Sequence, residues 1–268
     1  MSPLTAGELW ARRELDALRR ERFAARAVAR FLDASRRRAR DQRRARPELT
    51  RQARSWVAAG GGAWLVAAGV AGGAWRRRAR GGLAWWAVTG LMLDWHLGMV
   101  ETEDGRPRRL GAADACTLLR AWLVPIAAER PGPLVCAVAL ATDGLDGVLA
   151  RAGEPTRLGR DMEAVVDSVF SAAALRGALR QGWLGRPAAA AEAARLVAGA
   201  VYAGAAYFAT SVAPDRAVAG AARSTTPVRM AGLIGAGLGR RRSADVLVSL
   251  GAVLGIAGSL GRLRSPGG

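Results

Sequence analysis

The stretch Asp143-Gly144-Leu145-Asp146-Gly147-Val148-Leu149-Ala150-Arg151, followed by Gly159-Arg160-Asp161-Met162-Glu163-Ala164-Val165-Val166-Asp167, sets acidic side chains inside apolar sequence. Near the centre of a membrane helix a charge costs about 2.5–3.5 kcal/mol, so ionisable groups at such positions mark a functional site by default. On a helix, Asp143, Asp146, Gly147 and Ala150 stand at i, i+3, i+4 and i+7 and form one stripe; Gly159, Glu163 and Asp167, at i, i+4 and i+8, form a second. Two helices joined by a short loop can therefore face each other with acids on one side and small residues between them. Four clustered carboxylates repel one another unless cations intervene, and hard oxygen ligands favour Mg²⁺ or Mn²⁺ over softer metals. A two-metal site follows, with Asp143, Asp146, Glu163 and Asp167 as ligands. Gly147 and Ala150 leave room for a bulky ligand to approach the backbone, and Arg151 ends the stripe with a planar cationic fork suited to phosphate. Carboxylates, metal, a small-residue floor and an arginine together describe a phosphoryl-transfer site.

This pattern resembles the signature of the CDP-alcohol phosphatidyltransferase family, Asp-x2-Asp-Gly-x2-Ala-Arg-x7/8-Gly-x3-Asp-x3-Asp, through Asp143, Asp146, Gly147, Ala150, Arg151, Gly159 and Asp167. The third acid is Glu163 where the family usually has Asp, and seven residues separate Arg151 from Gly159 where eight is commoner. Upstream, Asp114-Ala115-Cys116-Thr117-Leu118-Leu119-Arg120 is similar to the Asn-x-x-Thr-x-x-Arg element that opens the family's first core helix, with Asp for Asn. Downstream, Arg223-Ser224-Thr225-Thr226 is similar to the basic-plus-threonine segment before its fifth core helix. The resemblance spans about residues 108–262. It implies metal-dependent transfer of a phosphatidyl group from a CDP-linked lipid such as CDP-diacylglycerol to an alcohol acceptor, with release of CMP. Asp167 is then the general base. Thr117, Gly147, Ala150, Arg151, Thr156 and Gly159 contact the nucleotide and its diphosphate, and Arg120 and Arg223 are weaker candidates for the acceptor pocket. Which alcohol is used is not legible in one sequence, and a homodimer is left open.

Two other readings compete. Paired acids in a membrane can be structural partners of arginine, but with Arg151 and Arg160 as the nearby cations this leaves an excess of negative charge. Glu163 and the short spacer motivate a second alternative, a catalytically inactive relative with a structural or lipid-binding role, since a ligand displaced by about 1 Å matters in a preorganised site. Glu remains a competent oxygen ligand, so an active enzyme is expected.

The rest of the chain of 268 residues, 51% hydrophobic and 23% charged, reads as apolar spans separated by charged segments. All 40 basic residues are arginine, and the formal net charge is +18. Because those arginines lie largely outside the apolar spans, they suit anionic lipid head groups and orientation of the protein in the membrane, and nucleic-acid binding is not expected. Cys116 and Cys136, with no Cys/His cluster around them, suit packing roles. No cleavable signal peptide is expected, since the first residues are charged and helix-prone.

The expected fold is an all-α polytopic membrane protein of the cell membrane: a six-helix transmembrane core, an additional N-terminal hydrophobic hairpin and a basic N-terminal helical extension. Residues 1–55 form the extension, cytoplasmic or on the membrane surface; 56–107 the hairpin and linker; 108–262 the core; 263–268 a tail. Candidate spans lie at about 56–75, 83–99, 112–129, 132–150, 161–184, 187–211, 227–239 and 243–262, and 227–239 is short against the 20 or so residues a span needs. Trp56, Trp75, Trp85, Trp86, Trp122 and Trp183 fall near proposed ends, as interfacial aromatics do; Trp64 and Trp95 do not. The loop 151–160 should face the cytoplasm, where nucleotide is found. The run Arg76–Arg80 between the first two spans then lies outside if both cross, against the positive-inside rule. Asp94 is expected to reach water from a span end. His96, the single histidine, is expected to bond locally rather than to take part in chemistry.

Overall fold

The computed structural model describes residues 4–70, 73–152, 156–210 and 214–264. They form α1 (Ala6–Arg20), α2 (Ala25–Ala45), α3 (Pro47–Val70), α4 (Gly73–Trp95), a short 3-10 turn (Leu97–Met99), α5 (Ala112–Glu129), α6 (Pro133–Ala152), α7 (Arg157–Arg180), α8 (Arg186–Ala205) running on into a π-turn (Ala206–Thr210), α9 (Arg216–Arg223), α10 (Thr226–Gly237) and α11 (Arg241–Arg264). The described residues contain no β-strand, only an isolated antiparallel bridge between Glu101 and Pro107. The all-α expectation therefore holds.

Local chemistry sets the helix ends. Thr5 caps α1 in a reciprocal box with Glu8, which satisfies two of the amide groups a helix start leaves unpaired. Prolines open α3 and α6 and stand in the first turn of α8 and α10, where the missing N–H costs nothing. Gly182 and Gly239, with φ of +61° and +85°, follow the ends of α7 and α10, where a left-handed residue stops a helix.

Two ends differ from the sequence expectation. The first hydrophobic span begins inside α3, which starts at Pro47, because backbone hydrogen bonding does not wait for the polarity change at residue 56. The arginine run 76–80 lies within α4 rather than in a loop.

The chain divides into two compact units, Met1–Pro125 with Asp143–Val166, and Ile126–Thr142 with Asp167–Gly268. The extension, hairpin and core segments suggested by the sequence do not map onto them one to one.

In the first unit, α3 and α4 approach closely at glycines. A Cβ on Gly60 would stand 2.3 Å from the Trp86 ring, one on Gly82 2.5 Å from the Trp64 ring, and one on Gly90 2.9 Å from Val57. The indole N–H groups complete the packing: Trp86 donates to the Val57 carbonyl at 2.7 Å, Trp85 to Ala121 at 2.8 Å and Trp122 to Gly60 at 3.0 Å. Trp64 is wholly buried, with its ring 4.7 Å from that of Trp122. These rings join α3, α4 and α5, and for Trp86, which is buried, this replaces the interfacial reading. Sequence position alone cannot separate an aromatic at a helix end from one turned into a neighbouring helix.

The N-terminal extension belongs to this unit. Arg46 donates to the carbonyls of Leu97, Val100 and Arg108, and Arg43 pairs with Asp94. Asp94 thus has a protein partner while its side chain stays partly exposed. The His96 ring nitrogen Nδ1 lies 2.7 Å from the Met92 carbonyl, a local bond as expected.

The second unit uses glycine in the same way. A Cβ on Gly177 would stand 2.1 Å from the Ala127 carbonyl oxygen, and one on Gly237 2.7 Å from Pro133. Among the described residues one helix, Arg241–Leu263, is long and apolar enough to cross a membrane by length and composition. By contrast α5 carries Asp114, Arg120 and Glu129, and α10 is only 12 residues long.

Candidate metal and phosphate site

α6 and α7 carry the motif acids on helical spacing. Asp143, Glu163 and Asp167 each offer a carboxylate oxygen, and the three oxygens lie within 4.8 Å of one another. Glu163 and Asp167 stand one turn apart on α7, which runs unbroken from Arg157 to Arg180. All three side chains are half-buried. An all-oxygen, all-anionic donor set of this kind fits a hard divalent cation such as Mg²⁺ or Mn²⁺.

Asp146, the fourth expected ligand, lies outside this triad. It is buried and accepts hydrogen bonds from Thr117 Oγ1 at 2.9 Å and Arg120 Nη2 at 2.9 Å. Arg120 Nη1 lies 3.9 Å from Asp143. Thr117 and Arg120 are one turn apart on α5 and both are 2% exposed. Thr117, which the resemblance gives to the nucleotide, and Arg120, which it gives to the acceptor, therefore hold Asp146. Arg120 also supplies the acids with a cation that the sequence reading placed elsewhere. Its partners are 23 and 26 residues away in sequence, so the local spacing around Arg151 and Arg160 gives no sign of it.

The start of α7 is built from the other motif residues. Thr156 Oγ1 accepts the Gly159 N–H at 2.9 Å and donates to Asp114 Oδ1 at 3.3 Å. The second Asp114 oxygen accepts the Gly111 N–H at 2.8 Å. A Cβ on Gly159 would stand 2.9 Å from Thr156 Oγ1 and 3.0 Å from Asp114 Oδ1, so the absent side chain is what permits this approach. Asp114, which stands where the resembled element has Asn, thus has a partner in Thr156. Gly147 is half-buried on α6. The side chains of Ala150 and Arg151 lie outside the described residues, as do residues 153–155.

Arg160 pairs with Asp161 at 3.1 Å and with Glu103. Burial pulls its guanidinium down, but Asp161 and Glu103 more than offset this and hold it above its ordinary value. Asp161 thus pairs beside the triad rather than within it.

Four charged residues leave no mark in the sequence pattern. Arg157, the first residue of α7, is buried with Glu8 and Glu101 as partners. In the second unit Arg229 is buried, donating to Glu192 at 2.8 Å and to Thr226 at 2.9 Å, and Asp167 lies close enough to act on it electrostatically. Glu192 also accepts from Arg195 Nε at 2.9 Å and Nη2 at 2.7 Å. Arg223, expected at the acceptor, ends α9 half-buried. A buried arginine in an arginine-rich chain leaves no compositional signal, which is why Arg157 and Arg229 do not stand out in the sequence.

No family model, curated protein or solved structure matches the chain.

Proposed function

We propose that this protein is a metal-dependent membrane transferase of the CDP-alcohol phosphatidyltransferase kind, moving a phosphatidyl group from a CDP-linked lipid to an alcohol and releasing CMP. The observation that carries the reading is the convergence of the Asp143, Glu163 and Asp167 carboxylates within a motif of that spacing.

Divalent cations, when bound, neutralise the diphosphate against the incoming oxygen and stabilise the departing CMP. Asp143, Glu163 and Asp167 would hold them, and Asp146, fixed by Thr117 and Arg120, stands ready on the same helix face as Asp143. Asp167 accepts the proton of the alcohol as it attacks. Gly147 and Ala150 leave the α6 face open to the nucleotide, and Arg151 meets its phosphates. Gly159 and Thr156 shape the turn beneath it. Arg229, near Asp167, adds a positive field on the side where an anionic acceptor would lie, with Arg223 upstream of it.

We further propose that α5, α6, α7, α8, α10 and α11 form a six-helix transmembrane core whose 151–160 loop faces the cytoplasm, with the arginines of α1 and α2 on anionic lipid. α11 supports membrane association. Acyl chains of the substrate would then stay in lipid while its head group enters from the aqueous side.

The inactive alternative gains from Arg120, which gives buried Asp146 a structural counter-ion. Purified protein supplied with CDP-diacylglycerol and a panel of alcohols separates the two. CMP release that needs Mg²⁺ or Mn²⁺ and stops with excess chelator supports the enzyme. No release with any acceptor supports the inactive relative, and full activity in chelator removes the metal site.

A further inference from the structure

We infer that helix α1 is a working part of the site: Glu8, together with Glu101, holds the Arg157 guanidinium and so fixes where α7, and with it Glu163, begins. The inference rests on the metal-site reading above and assigns the N-terminal extension a role in it.

Arg157 opens α7, six positions before Glu163. Its side chain is only 6% exposed. Nη2 lies 2.6 Å from Glu8 Oε1, and Nη1 donates to Glu101 Oε1 at 3.1 Å and to Thr5 Oγ1. Its backbone N–H donates to the Glu101 carbonyl at 2.9 Å, so side chain and main chain are held by the same residue. Nε has no partner, which leaves the two carboxylates to compensate a desolvated cation. Glu8 meanwhile uses its other oxygen to accept the Thr5 N–H at 2.8 Å, while Thr5 Oγ1 accepts the Glu8 N–H at 3.3 Å. The cap that starts α1 is thus part of the same cluster as the start of α7, across 152 residues of sequence.

A guanidinium that is 6% exposed loses a charged partner when one of its two carboxylates is neutralised, and breaking a buried pair from one side is costly. The first turn of α7 must then loosen. Thr156–Asp114 and Arg160–Glu103 still tether it, so the turn shifts rather than unfolds, and Glu163 lies less than two turns further on. Arg157 is not one of the triad that offers ligand oxygens. It is a positioning residue, and Glu8 positions through it.

The test uses full-length protein in nanodiscs, with amide exchange read over residues 157–166 and Mn²⁺ affinity read by electron paramagnetic resonance. Glu8→Gln should speed exchange there by roughly 10-fold, a local opening rather than a global one, and weaken Mn²⁺ binding several-fold. Arg157→Lys, which keeps the charge but not the fork, should fall between Glu8→Gln and the parent. Thr5→Val, with both carboxylates intact, should act in the same direction with smaller amplitude. Glu14→Gln, the same charge loss elsewhere on α1, should change neither readout. Exchange in Glu8→Gln equal to the parent overturns the clamp. Faster exchange with unchanged Mn²⁺ affinity overturns its reach to Glu163. If the parent and Glu163→Gln bind Mn²⁺ equally poorly, the metal-site reading fails, and exchange alone still decides whether α1 holds α7.

Discussion

Asp146 accepts from two donors on α5, and this changes what its removal should do. On the motif alone, deleting one of four crowded acids relieves repulsion and leaves the fold untouched. With Arg120 2% exposed and 2.9 Å away, deletion instead takes from a buried guanidinium its hydrogen-bonded carboxylate and leaves Asp143 at 3.9 Å; breaking a buried pair from one side costs about 3–5 kcal/mol. Asp146→Ala should therefore lower the thermal midpoint of the purified protein as well as its turnover, and Arg120→Met added to it should restore most of the stability but none of the activity. A single variant as stable as the parent would mean that the pair is not a buried one. On α7 the expectations separate chemistry from geometry. Glu163→Asp keeps an oxygen ligand and its charge and should retain activity, whereas Asp167→Asn removes a ligand charge and the proposed base, whose help is typically worth about 10²- to 10⁴-fold. Asp161, paired with Arg160, should tolerate Ala. Rates at saturating metal and substrate check all three. An inactive Asp161→Ala beside an active Glu163→Ala would shift the ligand set by two residues.

At the level of elements, the helices were legible because apolar stretches in this chain end at prolines, glycines and charge clusters, and α5 and α6 lie within two residues of where those signals put them. The motif acids were legible too, since i, i+4 spacing on one helix is a local property. What the sequence hid is long-range: Arg157 reaching Glu8, Arg46 reaching three carbonyls, and Trp122 reaching Gly60 leave no periodicity. Helix contact in this protein depends on small residues, and one position tests that cleanly. Gly177 on α7 would place a Cβ 2.1 Å from a backbone oxygen of α5 and 2.6 Å from Pro131, neither of which is the far end of a flexible side chain. Gly177→Ala should destabilise by about 1–3 kcal/mol, the usual cost of overpacking. Gly144→Ala on α6, where nothing lies within 4 Å of the added carbon, should instead be neutral or gain up to about 1 kcal/mol from helix propensity. Thermal unfolding of the two variants side by side decides whether close backbone approach, and not glycine content as such, holds these helices together.

For the whole molecule the arginines pose the sharpest question, that of threading. If the 151–160 loop faces the cytoplasm and six core helices cross, Arg240, Arg241 and Arg242, at the junction of α10 and α11, emerge on the outer side and become a second exception to the positive-inside rule beside Arg76–Arg80. The motif argues for that threading, because nucleotide is available on one side of the membrane. Charge argues against it. Length adds a further tension, since α10 with its 12 residues spans about 18 Å at 1.5 Å per residue, short of a hydrocarbon core of about 30 Å. Single cysteines in a background with Cys116 and Cys136 replaced by Ala can settle the matter with a membrane-impermeant maleimide on intact cells. The six-crossing arrangement expects Arg241→Cys to be labelled from outside, while Arg37→Cys on α2 stays protected until the cells are opened. If Arg241→Cys is protected as well, α10 does not cross. α11 would then run in the opposite sense, its end at Leu263 outside, and the arginines at 240–242 would obey the charge rule after all.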